Sequence, residues 1–189
     1  MPSSHAALSQ LPSVTVPLAL LIPRQKQHYF DTIGPRTPYR SRAFTFWGDA
    51  ALFPLVHAFL NGCARDRDPD YRYVFDLLGT ELAGNAVRHT RSGEPGGTFT
   101  LRVDRSAAGL TLTCRDGGLP DTHLRDRRDR ARLQPNPAGL RADADATAGR
   151  GLALVDALAT AWGDNGVPTY RHVWFHLAYD FAGSAWAAA

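Results

Sequence analysis

A carboxylate and a carboxamide stand four residues apart in the segment Glu81-Leu-Ala-Gly-Asn85. Positions i and i+4 of an α-helix lie one above the other, so the two side chains would share one helix face. A glutamate within hydrogen-bond reach of a hydroxyl can act as a general base. The side-chain carbonyl of an asparagine is an oxygen ligand of the kind that Mg²⁺ accepts. Taken alone, the pair fits a structural role better: a Glu bonded to neighbouring backbone and an Asn near a helix C-terminus.

We call the Glu81 and Asn85 pair the first station of a possible ligand site. The second station is the segment Asp116-Gly117-Gly118-Leu119-Pro120. It follows a segment of alternating apolar residues, so the Asp116 carboxylate would stand at the end of a buried strand. There it could accept a hydrogen bond from the amino group of a nucleobase. The two glycines would let the base approach the backbone closely. A plain turn is the alternative.

A third station, Gly149-Arg150-Gly151-Leu152, directly precedes an apolar helical stretch. The exposed amides of a helix N-terminus form an anion site, and glycines let phosphates reach them. Arg150 would either contact phosphate or face solvent. ATP can be taken as a trial ligand for these stations; Mg²⁺ would then be held between its phosphates and Asn85.

The helix that carries the first station has a continuous apolar stripe. Its members recur at helical spacing and must face a core: Tyr71, Val74, Phe75, Leu78 and Leu82. On a helical wheel, Asn85 falls inside this stripe and Glu81 at its edge. Burying a polar group at the edge of a core costs free energy unless the group is hydrogen-bonded or lines a pocket.

The other elements have the spacing of hairpins and short helices rather than of βαβ units. Alternation of apolar and polar residues predicts strands at 43–47, 99–103, 110–114 and 173–179, and another strand begins at 161. Helices are predicted at 50–62 and 151–158. Asp49 is a predicted N-cap, as is Asp68 or Asp70 for the helix that ends near His89. The pattern predicts an α+β two-layer sandwich: a mixed, mostly antiparallel sheet with helices on one face.

The chain divides into an extension, one domain and a tail. Residues 1–42 are rich in proline and are predicted to be a loosely ordered extension. Residues 43–180 form the domain, and 181–189 are a small, alanine-rich tail. Within the domain, segment 119–148 has many charges and no sustained periodicity, and it is interpreted as a lid or a solvated insertion.

Composition excludes several classes of function. Lys26 is the only lysine of the 189 residues, so neither a Walker A loop nor a eukaryotic-type kinase lysine can be present. The net charge of +3 does not argue for nucleic acid. Two cysteines are too few for a disulfide scaffold. With no signal-peptide or membrane-spanning pattern, a soluble cytoplasmic protein is expected.

In this order, the three stations resemble the N, G1 and G2 boxes of the GHKL ATPases over roughly residues 43–178. Within that superfamily the chain looks like the single-domain branch of bacterial anti-sigma-factor serine/threonine kinases. The resemblance implies the Bergerat ATP-binding fold, with Glu81 as general base and Asn85 as Mg²⁺ ligand. It also implies that Asp116 and Gly118 bind adenine, and that the phosphates meet the third station: Gly149, Arg150, Gly151 and Leu152.

Two departures from the superfamily pattern stand out. Pro120 occupies the place of the second G1 glycine, a form associated with the anti-sigma branch. An alignment by eye places His172 where the last strand often has a Thr or Ser near the adenine-binding Asp.

The resemblance implies an ATP-dependent regulatory protein that phosphorylates a serine or threonine of an antagonist protein. Its partners would be a sigma factor or another regulatory protein and the antagonist, without direct contact to nucleic acid or membrane. A homodimer is possible. The alternative is a nucleotide-dependent binding module without phosphotransfer.

Overall fold

The computed structural model describes residues 21–31, 38–119, 132–135 and 150–188. Five strands form one sheet: β1 (Ser41–Trp47), β2 (Thr98–Arg105), β3 (Gly109–Arg115), β4 (Ala161–Asp164) and β5 (His172–Ala178). Within the described ranges, three α-helices accompany it: α1 (Phe53–Cys63), α2 (Pro69–His89) and α3 (Arg150–Leu158). The same ranges contain four short 3₁₀ helices: Arg24–Tyr29, Ala50–Leu52, Arg91–Gly93 and Ala185–Ala188.

The sheet has the order β1-β2-β3-β5-β4, and all four described pairings are antiparallel. In the centre, Leu112 pairs with Val103 on one side and with Phe175 on the other. These three side chains are fully buried under the helices. Alternate residues point to the open face, which carries threonines and charged side chains, as expected for a sheet covered on one side only. The α+β two-layer fold predicted from the sequence is confirmed.

Helix α2 is the longest of the described elements, and it positions the first station. Asp68 caps it by accepting a hydrogen bond from the Tyr71 amide at 2.8 Å, and Pro69 opens it. Its predicted apolar stripe is buried almost completely, from Tyr71 to Leu82. The helix ends where the Thr90 hydroxyl donates to the Ala86 carbonyl at 2.6 Å. Glu81 and Asn85 therefore lie in the last three turns of a helix fixed to the core.

Tyr71 ties the start of α2 to the middle of the sheet. Its buried hydroxyl donates to the Leu177 carbonyl at 2.7 Å and accepts from the Leu110 amide at 3.2 Å. Leu110 and Leu177 are directly paired across β3 and β5. Burial raises the pKa of the Tyr71 hydroxyl, which stays protonated and keeps donating.

Part of the predicted N-terminal extension packs against the domain. Of residues 1–42, the structure describes 21–31 and the residues from 38 onward. Ile22 and Phe30 belong to the core cluster, and the ring centroid of Phe30 lies 4.9 Å from that of Phe44. Strand β1 begins at Ser41, slightly before the predicted domain boundary.

The segment predicted as a lid lies largely outside the described residues, which include only Leu119 and 132–135 of it. Among the described residues, no helix is long and apolar enough to cross a membrane.

Candidate functional site

A cavity of about 220 Å³ opens between α2, α3 and the ends of β3 and β5. Its walls come from separate parts of the chain that meet only in the folded domain. The lining residues are Leu82, Asn85, Ala86, His89, Thr90, Cys114, Asp116, Leu119, Leu133, Gln134, Gly151, Leu152, Arg171 and Val173. All three predicted stations therefore contribute to one cavity.

Of the two residues of the first station, one lines the cavity and the other lies beside it. Asn85 lines the cavity, as its place in the apolar stripe predicts. Glu81, one turn earlier, is not among the lining residues, and its side chain is about one quarter exposed. A Cβ built on Gly151 would lie 2.6 Å from Glu81 Oε2. The start of α3 thus packs directly against this carboxylate.

Arg88 lies across both members of the first station. Its Nη2 donates to Asn85 Oδ1 at 3.3 Å and lies 3.8 Å from Glu81 Oε2. The sequence places Arg88 one turn after Asn85 on the same helix, which is the signal that could have identified it.

Asp116 forms the polar end of the cavity. The residue is 9% exposed, and its Oδ1 accepts hydrogen bonds from the amides of Gly118 (2.7 Å) and Arg171 (3.3 Å). Among the described residues, Oδ2 receives no donor. Burial raises the pKa of Asp116, while the two amides and the Arg171 charge oppose the rise. A buried carboxylate at the end of an apolar cavity suits an amino group of a ligand.

Gly118 is required by the protein backbone itself. Its φ is +75°, and a Cβ would lie 2.1 Å from the Thr169 carbonyl oxygen. The sequence argument assigned the glycines of the second station to ligand approach. The structure adds a reason that needs no ligand: at Gly118 the loop after β3 presses against the loop before β5.

Ser92 and Arg91 hold the Asp116 loop from the α2 side, and sequence reasoning missed both. The fully buried Ser92 hydroxyl donates to the Thr98 carbonyl and accepts from the Gly117 amide, each at 2.8 Å. Arg91 donates from Nε to the Gly117 carbonyl at 3.0 Å. These partners are separated by 25 residues or more in sequence, except Thr98, so no local pattern reveals them.

The third station is described in part. Gly149 lies outside the described residues, as does the side chain of Arg150, which begins α3. Gly151 and Leu152 line the cavity. The first turn of a nine-residue helix therefore borders the cavity beside Asn85, and the amides of a helix N-terminus can bind an anion.

On β5, the alignment by eye is shifted by one residue. Arg171 and Val173 line the cavity, whereas His172 does not. Successive strand residues point to opposite faces, so His172 lies on the open face, where its ring packs edge-on against Tyr170 at 5.3 Å between centroids. Burial and the nearby Arg115 charge lower the pKa of His172. Arg171, rather than His172, takes the position beside Asp116.

Asp164, at the end of β4, fixes the described part of the predicted lid. Its Oδ2 accepts from the Leu133 amide, and its carbonyl accepts from Arg132 Nη1, both at 2.7 Å. The buried Asp164 carboxylate also lies 3.5 Å from Arg171 Nη1. Because Leu133 and Gln134 line the cavity, this contact closes one of its sides.

The side chains around the cavity suit a metal ion that is bound mainly by a second ligand rather than by the protein. In the described ranges, no group of three His, Cys, Asp or Glu side chains could hold a metal ion by itself. Asn85 offers a single carbonyl oxygen at the cavity. Mg²⁺ takes few protein ligands, keeps several waters and binds phosphate oxygens. The donor set therefore fits a Mg²⁺ bound mainly by a nucleotide.

Comparison with known proteins gives one family. The model of the histidine kinase-like ATPase domain matches residues 54–174, from the first turn of α1 into β5. This range contains the described members of all three stations. No curated protein gives a significant match.

Proposed function

The chain belongs to the histidine kinase-like ATPase family, and from this premise we propose an ATP-dependent regulatory protein that transfers the γ-phosphoryl group of ATP to another protein. The acceptor would be a serine or threonine of a small antagonist. Family membership supports the ATP-binding domain. The transfer and its acceptor rest on the site and on the resemblance to anti-sigma-factor kinases.

The observation that carries the proposal is that Asp116 and Asn85 line the same cavity. Asp116 offers Oδ2 to the adenine amino group, while Oδ1 is held by two backbone amides. Apolar side chains such as Leu82 and Val173 provide the walls that a flat purine ring requires. One end of the cavity can thus bind the base, and the end beside Asn85 can bind the phosphates.

Asn85 would hold Mg²⁺ through its side-chain oxygen, and the bound ion would neutralise charge on the transferring phosphoryl group. The first turn of α3 presents backbone amides beside Asn85, and Gly151 has no side chain to keep phosphate away. Gly149, Arg150 and Leu152 belong to the same proposed phosphate site. Phosphoryl transfer needs positioning and electrostatic stabilisation more than covalent chemistry, which these groups can supply.

Glu81 would orient the acceptor hydroxyl and receive its proton. The carboxylate lies one helical turn before Asn85, and a neighbouring side chain of an acceptor protein could reach it from outside the cavity. Its partial exposure is consistent with that direction of approach. A general base must be within hydrogen-bond reach of the proton that it removes, which only the complex with the acceptor can provide.

A second candidate function is a nucleotide-dependent binding module that performs no transfer. One observation favours it: Glu81 lies outside the cavity wall and 3.8 Å from the Arg88 guanidinium. A carboxylate that contacts a guanidinium is less available to the hydroxyl of an acceptor protein. In this reading, ATP would control the shape of the domain for a partner.

For partners, we propose a sigma factor or another regulatory protein, together with its antagonist. The support is the resemblance of the three stations to the anti-sigma branch. The spread of arginines and the modest net charge of +3 give no reason to propose nucleic acid.

The test has two stages. Calorimetry with a non-hydrolysable ATP analogue and Mg²⁺ should first show binding, with a clear preference for adenine over guanine. Labelled ATP is then incubated with the protein and candidate antagonists. Label on an antagonist serine or threonine supports the kinase, and analogue binding without any label supports the binding module.

The variant Glu81→Gln separates the two roles. It should keep analogue binding within a few-fold and reduce transfer by a factor of about 10²–10⁴, the usual contribution of a general base. Glu94→Gln removes the same charge from an exposed turn and should leave both properties unchanged. If Glu81→Gln transfers label at the parent rate, Glu81 is not the base.

A further inference from the structure

We propose that Arg88 occupies the cation position of this site before nucleotide arrives, so that Mg²⁺ must displace its guanidinium to reach Asn85. The inference deepens the proposed function and rests on it. It assigns Arg88 a role in setting how strongly nucleotide binding depends on metal.

One nitrogen of Arg88 contacts both groups of the first station. Nη2 donates to Asn85 Oδ1 at 3.3 Å and lies 3.8 Å from Glu81 Oε2. Asn85 Oδ1 is the oxygen assigned to the metal. The positive charge of Arg88 therefore lies beside the oxygen that is assigned to Mg²⁺.

Gly84 provides the room for this arrangement. A Cβ on Gly84 would lie 3.1 Å from Arg88 Nη2 and 3.3 Å from both Cζ and Nη1. The guanidinium thus folds back over the bare backbone of the preceding turn. A larger side chain at position 84 would lift it away from Asn85.

The charge of Arg88 is permanent, because a guanidinium keeps its proton at any physiological pH. A free divalent ion approaching Asn85 would meet this charge at short range, and like charges repel. A metal ion already bound to a triphosphate carries net negative charge with it. The side chain of Arg88 is 45% exposed and can rotate toward the phosphates, which give it a new partner.

Arg88 therefore favours joint entry of metal and nucleotide over separate binding of metal. Before nucleotide arrives, Arg88 also lies 3.8 Å from Glu81 Oε2. When phosphates draw Arg88 away, the Glu81 carboxylate is released for an acceptor hydroxyl. Arg88 is a positioning residue in this scheme, since it acts through Asn85 and Glu81.

The experiment measures binding of a fluorescent non-hydrolysable ATP analogue at a fixed concentration while Mg²⁺ is increased. The full chain is compared with Arg88→Gln, Arg88→Ala and Arg88→Lys. Arg102→Gln is the matched control, because Arg102 carries the same charge on β2 and pairs with Asp104 at 2.8 Å, away from the cavity. Thermal melting checks that each variant is folded.

The half-saturating Mg²⁺ concentration should fall roughly threefold or more in Arg88→Gln and Arg88→Ala, as removal of a nearby like charge predicts. Arg88→Lys keeps the charge and should stay closer to the parent than the two neutral variants. Arg102→Gln should match the parent. A fall that appears only in the neutral Arg88 variants supports the inference.

An unchanged or higher Mg²⁺ requirement in the folded neutral variants, with analogue binding retained, overturns the role of Arg88 and leaves the proposed function intact. If the parent fails to bind the analogue at any Mg²⁺ concentration, the proposed function fails, and this inference fails with it. The two failures are distinguished by the parent alone.

Discussion

Gly151 packs against Glu81 so closely that a Cβ on the glycine would lie 2.6 Å from the glutamate Oε2. The same Cβ would lie 3.3 Å from Asn85 Nδ2. The start of α3, which we propose to bind phosphate, and the proposed base on α2 are therefore in direct contact. A larger side chain at position 151 would therefore displace the Glu81 carboxylate, although Gly151 and Glu81 are 70 positions apart in the sequence.

Gly151→Ala should displace the Glu81 carboxylate without unfolding the domain. The new methyl group approaches the end of a flexible side chain, which can rotate, and alanine favours a helix more than glycine does. We expect a melting temperature near that of the parent and a loss of phosphotransfer of at least about tenfold, because misplacement of a reacting group by 1 Å can cost up to about a hundredfold.

A double-mutant cycle checks the cause of this loss. If Gly151→Ala acts on transfer through Glu81, it should reduce transfer little further in a Glu81→Gln background, measured at saturating nucleotide. Full additivity of the two losses would show that position 151 acts on the phosphates and not on the carboxylate.

Asp116→Asn should weaken ATP binding by about 10- to 100-fold, because a hydrogen bond to a charged acceptor contributes about 1.5–3 kcal/mol. Preference for ATP over GTP should fall with it, since an amide can donate to the guanine carbonyl. Titration calorimetry with both nucleotides measures this. Asp104→Asn, on the open face of the sheet, is the control. Equal affinities for ATP and GTP in the parent would contradict the role of Asp116.

Ser92→Ala should destabilise the domain by about 1–3 kcal/mol, because it leaves the buried Gly117 amide and Thr98 carbonyl without the hydroxyl that joins them. Nucleotide affinity should fall as well, since the Asp116 loop loses its support. Urea unfolding gives the first quantity and calorimetry the second. Loss of stability with unchanged affinity would mean that the loop keeps its shape without Ser92.

Asp66 should make stability depend on acid pH. Arg105 holds its two oxygens at 2.5 and 2.7 Å and lowers the pKa of Asp66 from 3.8 to about 2. A carboxyl whose pKa is lower in the folded state stabilises the fold above its unfolded pKa. That contribution is lost as the pH falls from about 4 through about 2.

The variant Asp66→Asn should therefore be less stable than the parent near neutral pH, by about 1 kcal/mol once solvent screening is taken into account. The difference should shrink as the pH falls below about 4. Urea unfolding at pH 6, 4 and 3 tests this. A difference that stays constant over that range would place the effect of Asp66 in packing and not in charge.

Local patterns predicted the elements because their causes are local. The apolar stripe of α2 and its Asp68 cap lie within one stretch of chain, and both are present in the structure. Asp116 was also predictable, since a polar residue directly after a buried strand must stand at the edge of the sheet. These features need only periodicity and the preferences of single residues.

Residues that support the site from a distance were not predictable in the same way. Ser92 reaches Gly117 only after β2 and β3 have paired, and Arg171 reaches Asp164 only across a turn. The misplacement of His172 has a simple origin: a strand has a period of two, so an error of one residue moves a side chain to the opposite face. The position of Arg88, one turn after Asn85, could be read from the sequence, but no motif indicated that it contacts both Glu81 and Asn85.

The packing of Ile22 and Phe30 on the core has a practical consequence for anyone who shortens this chain. The family match begins at residue 54, after β1. A protein cut there would lose the partner strand of β2, and the ring of Phe99, stacked at 5.4 Å on Phe46, would face water. Strand β2 would then be an exposed edge with unpaired backbone groups beside an apolar side chain, and such an edge pairs with strands of other molecules. Shortened versions that begin at residue 54 should therefore aggregate, whereas those that keep residues from 21 onward should remain monodisperse.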